Sequence, residues 1–279
     1  MIVALLIAGA AIAHATWNIA LKRAGTGGAV FLWLAFVVGA VLFSPLGIGA
    51  ILDGGIDWLS LAVVSGALQI AYFYLLQHAY RLGDVSVVYP LARGTGPLLS
   101  VVFAVVLFNE RPGAVALLGA AVVIAGVVVI GLAGGRGDAR VNRPGVVWGL
   151  AVGVVIAVYT LWDSNAVING GMPPLGYYWA VVSGAVLLTP AVVRQRAELL
   201  PVIRRHWLVT LIVGVLSPTA YVLILLAVQM APVSIVAPAR EVSVVLVGLA
   251  GWLLFRESHP VQRLIGAAIV LLGVGLLAL

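Results

Sequence analysis

Apolar residues run almost unbroken through ten stretches of the chain, at 2–22, 28–48, 58–80, 84–108, 112–133, 145–165, 174–193, 207–229, 232–255 and 259–279, with polar residues gathered in the short gaps. A helix rising 1.5 Å per residue needs about 20 apolar residues to cross a hydrocarbon core about 30 Å thick. Strands of a membrane barrel would instead alternate in polarity over about 10 residues. These runs do not alternate, so the pattern predicts an all-α integral membrane protein with ten transmembrane helices. The first run lacks a basic leading region and a small-residue cleavage site, and is read as the first span, not a signal peptide.

Composition agrees with this reading. Of 279 residues, 63% are hydrophobic and 9% charged, and the mean hydropathy is +1.21. A soluble domain carries about 25% charged residues, so there is too little polar surface here to cover a globule in water. The net charge of +6 and pI near 10.1 could suggest a nucleic-acid partner, but the positions of the charges decide against it. Lys22, Arg23, Arg81, Arg136, Arg140, Arg143, Arg194, Arg196, Arg204, Arg205, Arg256 and Arg263 lie at or beside odd-numbered connections, and Arg111 alone falls in an even one. By the positive-inside rule the odd connections face the cytoplasm, which puts both termini outside an inner or plasma membrane. The sequence holds no cysteine, so disulfides and thiolate metal sites are excluded.

The ten stretches fall into two related halves. "AYRLGDVSVVYPLARG" from Ala79 reads beside "AVQMAPVSIVAPARE" from Ala227: Val85-Ser86 matches Val233-Ser234, Pro90 matches Pro238 and, with one residue deleted, Arg93 matches Arg240. The register continues through Phe108-Asn109-Glu110 against Phe255-Arg256-Glu257, then Gly119 against Gly266 and Gly126 against Gly273. Upstream, Trp17-Asn18 pairs with Trp162-Asp163. The predicted organisation is a first five-helix repeat over 1–133, a cytoplasmic linker over 134–144 and a second repeat over 145–279. An odd number of spans per half makes the second half enter the membrane upside down, a recurring plan of secondary transporters with a site between the halves.

"AHATWNIALK", "AYRLGDVSVVYPLARGTGPLL", "LFNERP", "APVSIVAPARE" and "LFRES" resemble the EamA-type branch of the drug/metabolite transporter superfamily, over essentially the whole chain. The resemblance implies ten helices in two inverted halves and the export or exchange of small metabolites.

The chemistry is concentrated in a few polar residues inside oily runs. Arg93 lies eight residues from Val85 and Arg240 eight from Pro232, about 12 Å along a helix, so both reach the middle of the membrane from opposite faces. With Asp163 and Glu241 they make four candidate buried charges, costing about 10–14 kcal/mol together on insertion scales unless paired or hydrated. Pairings such as Arg93 with Asp163 or Arg240 with Glu241 would balance them. Neighbours such as Arg240 and Glu241 point about 100° apart on an intact helix, which argues against their sharing one partner. Two planar guanidinium forks in one cavity favour an anionic group on the substrate. Pro90 and Pro238 remove a backbone donor each and free the carbonyls of Ser86 and Ser234, marking them as hinge or backbone-site residues. Trp17, Asn18 and Trp162 are candidate walls, with Tyr89, Tyr159, Tyr221, His14, Gln69 and His78 as further lining. Asp163, His14 and Glu241 are candidates for carrying a coupling proton. Glu110 and Glu257 read as helix-end caps or gate contacts, and the matched glycines as packing residues.

These residues predict a secondary transporter, an exporter or exchanger of small zwitterionic or anionic metabolites such as amino acids, working by alternating access as a monomer or homodimer. A flippase of lipid-linked intermediates and a multidrug cation exporter are the alternatives. An intramembrane enzyme would need clustered metal ligands or paired acids, and the histidines 14, 78, 206 and 259 have no ligand spacing. No metal, cofactor, nucleic acid or nucleotide-binding loop is expected.

Overall fold

The computed structural model describes residues 1–24, 28–54, 59–82, 85–132, 143–255 and 260–279; the linker expected at 134–144 lies outside them but for its last two residues. Thirteen α-helices follow one another among these residues: α1 (Ile2–Ala24), α2 (Gly28–Leu42), α3 (Ser44–Gly54), α4 (Leu59–Leu82), α5 (Val85–Leu107), α6 (Ala114–Leu132), α7 (Arg143–Ile168), α8 (Pro174–Ser183), α9 (Thr189–Arg194), α10 (Leu199–Val228), α11 (Val233–Ala239), α12 (Val242–Phe255) and α13 (Pro260–Leu277). Two short 3-10 turns, Gly184–Leu188 and Arg196–Glu198, interrupt the series. Large apolar side chains such as Ile12, Val102, Val106, Leu118, Val147, Leu271 and Leu272 lie on the outside, as expected of a surface solvated by lipid chains.

The expected spans are not all continuous. Among the described residues six helical runs are long and apolar enough to cross a membrane, and a seventh qualifies if α2 and α3 count as one span bent by 65°. Leu91–Leu107, Ala114–Ile130 and Val261–Leu277 are apolar but shorter. Prolines account for most of the breaks. Pro45 and Pro190 occupy first-turn positions of α3 and α9, where a missing N–H costs the new helix nothing but takes a donor from the ladder that would continue the preceding one. Pro238 sits one residue before α11 ends. The kink at the start of α10 is at His206, whose φ of −127° and ψ of 15° leave the helical region.

Helices pack mainly across the two copies of the repeat. α6 runs against α13, α5 and α4 against α7, and α10 and α12 against α1. Exchanging the copies turns α5–α7 into α12–α1, α4–α7 into α10–α1, and α6–α13 into itself, which is how a pseudo-twofold axis behaves. The axis passes through the glycine pairs. A Cβ added at Gly119 would lie 2.9 Å from the Gly273 carbonyl, and one at Gly126 2.7 Å from the Val270 amide and 2.9 Å from the Gly266 carbonyl. The repeat's matched glycines meet crosswise, 119 with 273 and 126 with 266, because the two helices run antiparallel. Only a residue without a side chain lets the backbones come this close.

Candidate functional site

Between the bundle of α4, α5 and α7 and that of α1, α10 and α12 lies a cavity of about 150 Å³. Its charged lining among the described residues is Arg93 on α5 with Arg240 and Glu241 from the break between α11 and α12. Pro238 has no amide to bond the Ser234 carbonyl upstream, and the break itself comes two residues later. Arg240 N–H still reaches the Val236 carbonyl, but Glu241 N–H bonds the Pro238 carbonyl three residues back, a 3-10-like turn. The matching motif in α5 has one more residue between proline and arginine, and α5 remains a single helix from Val85 to Leu107. Losing a residue from a helix rotates everything after it by about 100°, and the turn at Arg240–Glu241 is where that rotation is absorbed.

Of the two expected pairings one forms and one does not. Arg240 and Glu241 pair with each other, Nε to Oε1 at 3.3 Å. Arg93 finds its acid in Glu241, NH1 to Oε2 at 3.7 Å, and not in Asp163. One carboxylate, 1% exposed, thus stands between two guanidiniums, and its Oε2 accepts no hydrogen bond of good geometry. Arg240 also donates from NH1 to Thr160 Oγ1 at 3.4 Å. Arg93 NH2 lies 3.2 Å from His14 Nε2; a guanidinium can only donate, so this nitrogen of His14 accepts. The formal charge of the lining is +1, from two arginines and one glutamate.

The remaining lining is aromatic and small. Trp17 stands edge-on to His14 at 5.0 Å between ring centroids, and its Nε1 is buried with no acceptor. Tyr159, Tyr178, Tyr221 and Gln69 face the same space. Tyr178 and Tyr221 lie 4.6 Å apart, tilted by 32°.

Several expected wall residues lie elsewhere. Asp163 is fully buried behind the lining: Tyr177 donates to Oδ1 and Tyr221 to Oδ2, both at 2.7 Å. Trp162 is turned to α4, where Nε1 donates to the Leu61 carbonyl at 2.9 Å. Asn18 bonds back to the His14 carbonyl of its own helix at 2.8 Å, and His78 packs edge-on against Trp148. Pro90 and Tyr89 fall within α5, but their side chains lie outside the described residues, as does all of Glu257.

Sequence reasoning passed over Thr160, Ser65, Tyr177 and Tyr178. One signal was present: Ser65, Gln69 and Tyr72 recur at i, i+4 and i+7 along an otherwise apolar segment, a polar stripe on one helix face.

Glu110 was expected to cap a helix end, and it does so across the repeat. Asn109 adopts a left-handed backbone, φ 53°, a conformation asparagine tolerates at helix C-termini. The chain thereby leaves α5 with Glu110 aimed at the start of α11. Its Oε1 accepts from Val233 N–H at 2.7 Å and its Oε2 from Ser234 N–H at 2.9 Å.

The family model described as "EamA-like transporter family" matches residues 1–132 and 143–279. A solved structure titled only "Crystal structure of protein" superposes with a TM-score of 0.76 at 21% identity, covering 98% of this chain and 95% of that one. At that identity the likeness speaks for the fold alone. Among functionally curated proteins none matches the sequence.

Proposed function

The chain belongs to the EamA-like transporter family, and from that premise we propose that it is a secondary transporter of small anionic or zwitterionic metabolites, amino acids among them, working by alternating access. In this reading ten spans, some of them broken, form two inverted five-helix copies with both termini outside the cell membrane, and the protein acts as an exporter or exchanger.

The observation that carries the substrate class is the pair Arg93 and Arg240, one from each copy, lining one cavity with the Glu241 carboxylate between them. A solute carboxylate or phosphonate brings the counter-charge that Glu241 alone does not supply, and guanidinium forks hold such groups with two parallel bonds. The Trp17 Nε1 donor adds a third point of attachment. A zwitterion also offers an ammonium to Glu241. A lipophilic cation would have to enter beside two arginines, which opposes the multidrug alternative. Because the packed bundles mix helices of both copies, alternating access here means one mixed bundle rocking against the other.

The test is exchange of labelled solutes by the purified protein in liposomes, with amino acids, small organic acids, phosphonates and lipophilic cations in parallel. Saturable exchange of an anion or zwitterion is the expected result, lost in both Arg93→Ala and Arg240→Ala while each variant elutes as a folded protein. Exchange of cations alone, or full exchange by either variant, refutes the assignment.

A further inference from the structure

Asp163 is a buried acid that the substrate reading leaves without a task. It is 0% exposed, and no ion pair reaches it among the described residues. Its partners are hydroxyls: Tyr177 from α8 on Oδ1 and Tyr221 from α10 on Oδ2, each at 2.7 Å, with Ser65 of α4 beside them. Around this centre stand Tyr159 on its own helix, Tyr178 on α8 and Arg240 at the α11–α12 turn, with Glu241 next to Arg240. Tyr178 donates in turn to Gln69 Oε1 at 3.2 Å, and Gln69 Nε2 reaches Ser65 Oγ at 3.5 Å. Tyr177 and Asp163 are sealed from the cavity, but Tyr221 lies on its wall. One phenol therefore touches both the buried acid and the space where a solute would bind.

A phenol hydroxyl has one proton and can also accept. While Asp163 is ionised, Tyr221 spends that proton on Oδ2. When a hydronium delivers a proton from the cavity side, Tyr221 passes its own to Oδ2 and takes the incoming one. The phenol O–H and one hydronium O–H break, one O–H forms on the carboxyl and one on the phenol, and water and a neutral tyrosine are left. The hydrogen bond has then reversed, with Asp163 donating to Tyr221, and the tyrosine O–H points into the cavity. We propose that Asp163 is the coupling-proton site of the transport cycle and that Tyr221 relays its protonation state to the solute. This rests on the transporter reading, and it names the ion and the contact through which the ion acts.

The first experiment needs no solute. Infrared difference spectra of the purified protein in lipid are taken as the pH is lowered from mildly alkaline to mildly acidic. The expected spectrum shows a protonated-carboxyl C=O band growing in wild type and in Glu241→Gln, absent in Asp163→Asn and displaced in Asp163→Glu. A tyrosine ring band should change with it and be lost in Tyr221→Phe. A carboxyl band that survives Asp163→Asn, one that Asp163→Glu leaves unmoved, or no titrating band at all overturns the proposal, whatever the protein transports. The second experiment uses labelled L-amino acids in liposomes. Asp163→Asn should lose accumulation driven by a proton gradient and keep counterflow exchange without a gradient. Gradient-driven accumulation by that variant, or loss of both activities together, overturns the coupling role.

Discussion

At Glu241 a single carboxylate divides its charge between two guanidiniums, at 3.3 Å from one and 3.7 Å from the other. Removing one partner of a buried ionic cluster leaves uncompensated charge, at a cost of about 3–5 kcal/mol. Glu241→Gln should therefore lower the thermal midpoint, and a bound anion should restore it because the lining then carries +2. The same variant should favour solutes with two negative charges over zwitterions in competition assays. Arg240→Lys tests the fork itself. Arg240 uses Nε for Glu241 and NH1 for Thr160, and one ammonium on a flexible stem cannot hold both directions. Exchange should fall by about tenfold or more, the equivalent of about 1.4 kcal/mol. Both arginines were legible in the sequence because a charge inside an apolar run is conspicuous. Asp163 was equally conspicuous, but its partner was misread, since nothing in a linear pattern says that tyrosine hydroxyls from α8 and α10 reach an acid before an arginine does.

Helix boundaries followed the same logic one level up. Apolar runs located most of the helical residues, because burial in lipid leaves the backbone no other way to satisfy itself. They did not locate 199–206, which falls in a gap between runs and yet begins α10. Which runs break was only half written: prolines mark Pro45 and Pro238 alike, yet whether a span bends by 65° or tightens into one turn depends on what packs against it. Glu110 is the clearest element-scale device. It gives the two first amides of α11 a charged acceptor, favourable both as a cap and against the positive helix end. α11 is only seven residues long and carries Arg240 at its far end, so its anchorage sets the position of the site. Glu110→Ala should speed amide exchange at Val233–Val236 and destabilise the protein by about 1–3 kcal/mol. Glu110→Gln, which keeps one acceptor oxygen, should fall between the two.

At the scale of the whole molecule, the two copies are not two packing units. Each bundle borrows helices from both, and α6 and α13 close the structure along a seam of backbone contacts. Gly126→Val should force that seam apart, because its Cβ would sit 2.7 Å from a main-chain nitrogen that cannot move aside. The expected loss is at least the 1–3 kcal/mol of an overpacked core, read as a lower thermal midpoint or failure to accumulate. Gly113→Ala, with nothing within 4 Å, should be silent in the same assay. The repeat, and the glycines as packing residues, could be read from matched residues; the crosswise pairing required knowing that the copies interleave.

The arginines obey the pseudo-twofold axis and the acid does not. The residue after Arg93 is Gly94, which faces Val128 and Ile124 of α6, whereas the residue after Arg240 is Glu241, in the cavity. A solute turned end for end therefore meets a different wall. With the two guanidiniums, the carboxylate and the Trp17 indole as unlike anchors, a molecule bearing an acid, an amine and a side chain on one carbon can satisfy all of them in one hand only. The cavity should tell mirror images apart, and L- and D-forms of one amino acid should compete for exchange with unequal strength.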